Sequence, residues 1–209
     1  MEKNIKNIIF DMGGVLVGLD AQRCIDAFRQ IGCDKIAFYV EEHRTEDLFL
    51  DTELGRITPE EFCGEVRRLT GCAATDQQIV WAWNQLLTGI DDNKKQCLLQ
   101  LARHYRLFLL SNTNIMHWHK CRDSFFPYEG HRAGDYFERI FLSYEMHLAK
   151  PDTQIFAQAL AEAGINAAET LFIDDSLDNC RAAERVGIST LHETTGTSWM
   201  RLCNNAFEQ

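Results

Sequence analysis

Short apolar runs alternate with longer amphipathic stretches along most of the chain, and several of the runs end on a polar residue. Ile5 to Phe10 is apolar apart from Lys6 and Asn7 and rich in isoleucine. That pattern predicts a strand buried on both faces, as at the centre of a parallel sheet. Arg106–Leu110, Thr170–Ile173, Ile188–Leu191 and part of the segment 137–143 read as further strands. Helices are predicted over Asp91–His104, from about Asn114, over Asp152–Ala163 and over Ser176–Val186, with one more in the tail after Thr195. Pro151 is read as opening the third of these and Gly164 as ending it; Gly130 to Tyr136 is read as loop. Strands separated by helices imply βαβ units, and so an α/β fold with a Rossmann-like parallel sheet flanked by helices.

From Asp20 to Thr88 the pattern changes. No strand-like run occurs, and helical periodicity falls into five segments, Ala21–Ile31, Lys35–Glu42, Thr45–Leu54, Pro59–Leu69 and Asp76–Leu87. Thr58-Pro59-Glu60-Glu61 predicts a helix start, with a capping hydroxyl, a proline in the first turn and a glutamate able to reach back. Gly32 and Gly71 are placed to stop helices. The expected organisation is a core of residues 1–18 and 90–209 with an all-helical insert at 19–89.

The polar groups at the strand ends are Asp11, followed closely by Gly13-Gly14; Ser111-Asn112-Thr113; Lys150-Pro151; and Asp174-Asp175-Ser176. Ligands of parallel sheets bind at the carboxyl ends of the strands, where these groups fall. Singly, each has an ordinary structural reading. Asp11 suits a turn, Ser111 and Ser176 suit helix caps, and Lys150 suits a solvated position before a proline. Taken in order, the four stretches resemble the four motifs of the haloacid dehalogenase-like hydrolase superfamily, over nearly the whole chain. The stretch from Leu50 to Phe62 is similar to members with a helical cap, and the pattern is similar to bacterial sugar-phosphate phosphatases such as glucose-1-phosphate phosphatases.

The resemblance implies a site. Asp11 is the expected nucleophile, forming an aspartyl-phosphate. Lys150 is expected to contact both nucleophile and phosphate, while Ser111 and Asn112 bind the transferring oxygens. Asp11, the Gly13 carbonyl and Asp175 are expected to hold Mg²⁺, a hard cation suited to carboxylates, a carbonyl and phosphate. Asp174, Asp178 and Asn179 are expected to orient these groups from behind. The reaction implied is Mg²⁺-dependent hydrolysis of a small phosphorylated metabolite, with a sugar phosphate as one form.

One position departs from the pattern. Phosphatases of the superfamily carry a second aspartate two residues after the nucleophile, to protonate the leaving alcohol; here that residue is Gly13. Such acid–base help is worth roughly 10²–10⁴-fold in rate. Asp20, Glu145 and His147 are the nearby candidates by sequence to replace it. The alternatives are a catalytically weak phosphate-binding or regulatory protein and, third, a 2-haloacid dehalogenase. The last is disfavoured because position 13 is not the tyrosine usual there.

Composition narrows the partners. The chain has 209 residues, 45% of them hydrophobic, and a net charge of −10. That acidity argues against nucleic acid, which needs a basic surface, but not against an anionic substrate held through a metal ion. There is no signal-peptide profile and no run of membrane-spanning length, so a cytoplasmic location and no membrane partner are expected; oligomeric state is left open. The eight cysteines include no C-x-x-C pair and are expected to be reduced thiols on helix faces. His117 and His119, two apart on a predicted helix, should face different ways, and one of Trp81 and Trp83 should be core. Arg23, His43 and Arg44 in the insert are read as solvated charges rather than substrate contacts.

Overall fold

A computed structural model describes residues 5–42 and 47–205. The first strand, β1 (Asn7–Phe10), carries the apolar sequence Asn-Ile-Ile-Phe and is buried throughout. A two-residue strand β2 (Gly18–Leu19) leads into five helices, α1 (Ala21–Gln30), α2 (Asp34–Glu41), α3 (Asp47–Glu53), α4 (Pro59–Thr70) and α5 (Asp76–Asn84). The chain returns through β3 (Leu87–Gly89), which pairs antiparallel with β2. This ribbon is a correction to the strand-free reading up to Thr88. Three residues with an exposed threonine and a glycine carry no usable alternation.

The remainder alternates as expected: α6 (Asp92–Leu101), β4 (Arg106–Ser111), α7 (Ile115–Lys120), α8 (Ala133–Tyr136), β5 (Arg139–Leu142), α9 (Ser143–Met146), α10 (Thr153–Ala163), β6 (Thr170–Asp174), α11 (Leu177–Arg185), β7 (Ser189–His192) and α12 (Arg201–Asn205). Helix α8 lies where a loop was expected; the Asp135 carboxylate accepts from the Arg132 N–H at 2.7 Å and closes its first turn. Pro151 does not open α10. The Lys150–Pro151 peptide is cis, and Asp152 caps the helix by accepting from the Gln154 N–H. Gly164 does end it, in a left-handed conformation.

The main sheet is parallel in the order β5-β4-β1-β6-β7. Its period of two divides the core. Ile8, Phe10, Leu107, Leu109 and Ile173 face one side, with Trp199 edge-on to Phe10. Ile9, Phe108, Leu110, Phe141 and Phe172 face the other, against α10 and α11. Fully burying each such side chain contributes roughly 1.5–3 kcal/mol, which fixes the level of the strand ends.

The five helices after β2 bury a cluster of their own, including Phe28, Phe62, Val66, Ile79 and Trp83, and Met116 of α7 joins it. Trp83 stacks on Phe49 and on His117, and His117 Nε2 lies 3.1 Å from the Trp83 carbonyl. His117 is therefore a buried structural residue, pushed down to about 4 by burial, while His119 is exposed. Trp81 is exposed where Trp83 is core. Thr58 and Glu61 form the reciprocal cap expected at α4, and Gly71 ends that helix with a φ of 69°. Arg23 is exposed and bonds Gln85 at 3.0 Å; His43 and Arg44 lie outside the described residues.

The cysteine expectation is corrected in part. Cys97 of α6 and Cys203 of α12 are disulfide-bonded, while the other six are free. No spacing signal links two residues 106 positions apart. Among the described residues, no helix is long and apolar enough to cross a membrane.

Candidate active site

The register of the three central strands gathers the predicted residues. Phe10 lies opposite Leu109 on one side and Ile173 on the other. Asp11, one residue further, is therefore level with Leu110 of β4 and Asp174 of β6, and its N–H donates to the Ile173 carbonyl at 2.9 Å. Lys150 reaches in from the loop after α9. Its ammonium donates to Asp11 Oδ1 at 2.7 Å, Asp174 Oδ2 at 2.7 Å and the Leu110 carbonyl at 2.9 Å. All three charged side chains are buried. Asn112 fixes the base of the lysine: its side-chain amide donates to the Lys150 carbonyl and accepts from the Lys150 N–H, both at 2.8 Å. The Asn112 side chain is thus engaged with the backbone, beside the buried Ser111.

Asp174 is fully engaged as well. Beyond Lys150 it accepts from the Ser176 N–H at 2.8 Å, and Asn179 Nδ2 reaches both its oxygens at 3.0 and 3.2 Å. Asp178 is not part of this group. It points outward on α11, with its carboxylate 3.7 Å from Arg181, because one residue along a helix turns the side chain by about 100°. Asp175 stands at the lip, exposed, with its backbone carbonyl 2.9 Å from His192 Nε2.

The electrostatics are out of balance. Asp11, Asp174 and Asp175 each bring an oxygen within 4.8 Å of the others, against the single cation of Lys150. Burial pushes the Asp11 carboxyl up to about 7; Lys150 opposes the rise and Asp174 adds to it. Burial and the neighbouring Asp174 also push Asp175 up. Burial alone would favour neutral Lys150, but Asp11 and Asp174 outweigh it and hold the ammonium charged. With Asp174 committed to Lys150, Ser176 and Asn179, the carboxylate oxygens of Asp11 and Asp175 are the hard donors that fit a divalent cation of the Mg²⁺ type.

The loop after Asp11 is shaped around these groups. Gly14 has a φ of 71°, and a Cβ there would lie 2.2 Å from Asp175 Oδ2, so glycine alone lets the two motifs meet. Gly13 is different: its backbone is not left-handed, and a Cβ would lie 3.3 Å from the Leu19 side chain. A side chain at position 13 would thus press on Leu19, a half-exposed residue.

Two residues escaped the sequence reading. Lys94 of α6 is buried and donates to the carbonyls of Val15 at 2.6 Å and Leu16 at 3.1 Å, tying down the loop that follows Asp11. A usable signal existed, since Lys94 shares its helix face with the buried Leu98 and Leu101. Glu53, at the end of α3, has its carboxyl pushed up by burial, with Lys150 acting in the opposite sense. Nothing in the local sequence distinguishes it from its acidic neighbours.

A Rossmann-like sheet with its polar side chains collected at the carboxyl edge of the central strands, and a helical block inserted after the first, defines an α/β enzyme that binds its ligand at that edge. The class narrows on comparison with known proteins: the haloacid dehalogenase-like hydrolase family matches residues 5–187, and the chain belongs to it. It is similar to a D-ribitol-5-phosphate phosphatase from Bacteroides thetaiotaomicron, 31% identical over 93% of this chain and 95% of that one. Among solved structures it resembles an enzyme of the same family and organism, in complex with magnesium and inorganic phosphate. That match has 44% identity and a TM-score of 0.90, covering 95% and 98% of the two chains. A predicted hydrolase of this kind from Porphyromonas gingivalis is 36% identical with a TM-score of 0.88, covering 99% of each chain.

Proposed function

We propose that this protein is a Mg²⁺-dependent phosphatase of a small phosphorylated polyol or sugar, acting through a phosphorylated Asp11. The observation that carries the reading is the Lys150 ammonium held between Asp11 and Asp174 at the sheet edge, with Asp175 unneutralised beside them. Asp11, Asp175 and the Gly13 carbonyl are the groups to hold Mg²⁺, which would neutralise phosphoryl charge. Lys150 aims Asp11 and opposes the rise that burial causes in it, and Asn179, through Asp174, keeps Lys150 in place. The Asn112 N–H and the Ser111 hydroxyl are the donors for the transferring oxygens. The helices of residues 19–89 act as a cap over this edge, joined to the core by the β2–β3 ribbon. The similarity to a D-ribitol-5-phosphate phosphatase supports a polyol phosphate as substrate. Cytoplasmic residence remains the working assignment.

Phosphate release from a panel of sugar and polyol phosphates, D-ribitol 5-phosphate among them, tests the reading with Mg²⁺ and with chelator. Turnover that chelator abolishes and Asp11→Asn removes supports it. Chelator-resistant turnover, or activity retained in Asp11→Asn, refutes the metal or the nucleophile assignment. Gly13 favours the second reading, phosphate binding without turnover; Mg²⁺ and phosphate bound with no ester hydrolysed would select it.

A further inference from the structure

We propose that Glu53 of the helical block donates the proton to the leaving alcohol, in place of the acid that Gly13 lacks. The assignment rests on the phosphatase reading above. Position 13 offers no acid, and a side chain there would press on Leu19, one of whose methyls lies 3.3 Å from where its Cβ would stand. The acids nearest in sequence are committed elsewhere. Asp20 caps α1 by accepting from the Arg23 N–H at 3.1 Å. Glu145 is exposed and bonds the Tyr144 hydroxyl at 3.1 Å. His147 directs Nδ1 to the Leu54 carbonyl at 2.9 Å.

Those contacts also place Glu53. The end of α3 is pinned to the loop that leads into Lys150. Ser143 Oγ donates to the Glu53 carbonyl at 2.7 Å and His147 holds the Leu54 carbonyl. Gly55, with a φ of 63°, lies so close on the Tyr144 carbonyl that a Cβ would come within 2.1 Å of it. Three consecutive residues are therefore fixed against the core, and the half-buried Glu53 side chain lies within the field of Lys150. The charged group that acts on it is Lys150, from the core loop. Burial pushes the carboxyl up from its ordinary value, against the pull of Lys150, in the sense that favours the protonated form an acid catalyst needs. In-line attack by Asp11 puts the leaving oxygen on the far side of phosphorus, away from the sheet and towards the helical block.

The step balances. Asp11 Oδ bonds to phosphorus as the bond from phosphorus to the ester oxygen breaks, and that oxygen takes the Glu53 proton. Glu53, now a carboxylate, accepts a proton from water as the water oxygen attacks phosphorus. The bond to Asp11 breaks, phosphate leaves and Glu53 is protonated again.

The test compares Glu53→Gln with wild type on two esters under saturating Mg²⁺, D-ribitol 5-phosphate and p-nitrophenyl phosphate. The first leaving group needs a proton and the second does not. The expected result is a loss of roughly 10²–10⁴-fold in kcat on the alkyl ester with a far smaller loss on the aryl ester. Equal losses on both, or no loss on the alkyl ester, overturn the assignment. Inhibition by inorganic phosphate involves no proton transfer and should be unchanged, which reports an assembled site. If it is lost, Glu53→Asp, which keeps the acid on a shorter arm, must restore phosphate binding and part of the alkyl-ester rate; failure to do so overturns the assignment. A wild type that hydrolyses neither ester sinks the phosphatase reading itself, and this assignment with it.

Discussion

Asp11 should weaken the metal-free protein. Its carboxyl has an ordinary value of 3.8 and is raised to about 7 in the fold, chiefly by burial and despite Lys150 at 2.7 Å. Between those two values the folded state binds more protons than the unfolded state. Stability is therefore full at low pH and is lost as the pH rises through the window to about 7. A rise of roughly three units at about 1.4 kcal/mol each gives about 4 kcal/mol of lost stability. Asparagine imitates the protonated carboxyl in shape and charge, so Asp11→Asn should escape that loss.

The measurement is urea unfolding of wild type and Asp11→Asn in chelator, at about pH 4 and about pH 8. The two proteins should be nearly equally stable at the lower pH. At the higher, the variant should be more stable by about 2–4 kcal/mol, the lower figure applying where water at the lip of the site screens the charge. Saturating Mg²⁺ should narrow the gap, because the cation compensates the carboxylate in wild type and loses a ligand in the variant. Equal stability at the higher pH in chelator, or a gap of the same size at both, would refute the reasoning.

Lys150→Met leaves Asp11 and Asp174 buried without a cation; it should cost about 3–5 kcal/mol by urea unfolding and abolish phosphate release. Gly14→Ala forces a side chain into a φ of 71° and against Asp175 Oδ2. It should cost about 1–2 kcal/mol of stability and lower Mg²⁺ affinity at least about tenfold, read by titrating activity with Mg²⁺. Gly13→Asp alone meets Leu19, so it should raise the rate on alkyl phosphates little, whereas Gly13→Asp with Leu19→Ala should raise it more than either single change. A double variant no faster than Gly13→Asp would show that Leu19 is not the obstacle.

The strands and the site motifs were legible because each is short in range. β1, β4 and β6 are near-continuous apolar runs, and a parallel sheet sets their ends level, so Asp11, Ser111 and Asp174 had to arrive together. Asn179 and Lys150 followed from the motif order, but Asp178 did not join them. A helix places neighbouring residues about 100° apart, and the sequence does not say which of the two faces inward. The β2–β3 ribbon and the Cys97–Cys203 link were not legible, since both depend on pairing across long separations with no repeating spacing.

The same distinction explains Gly13. The absence of an acid is a local fact and stands in the sequence beside Asp11. What lies against position 13, and the place of the acid we propose, are not local. Leu19 reaches Gly13 only because the β2–β3 ribbon turns it back over the loop. Glu53 comes into the field of Lys150, 97 positions away in sequence, only because Ser143 and His147 hold the end of α3 to the core. A helical block that supplies the proton couples chemistry to its own docking: loosening those two hydrogen bonds would slow alkyl-ester hydrolysis without touching the groups that bind phosphate. In this chain the block would then be part of the catalytic apparatus.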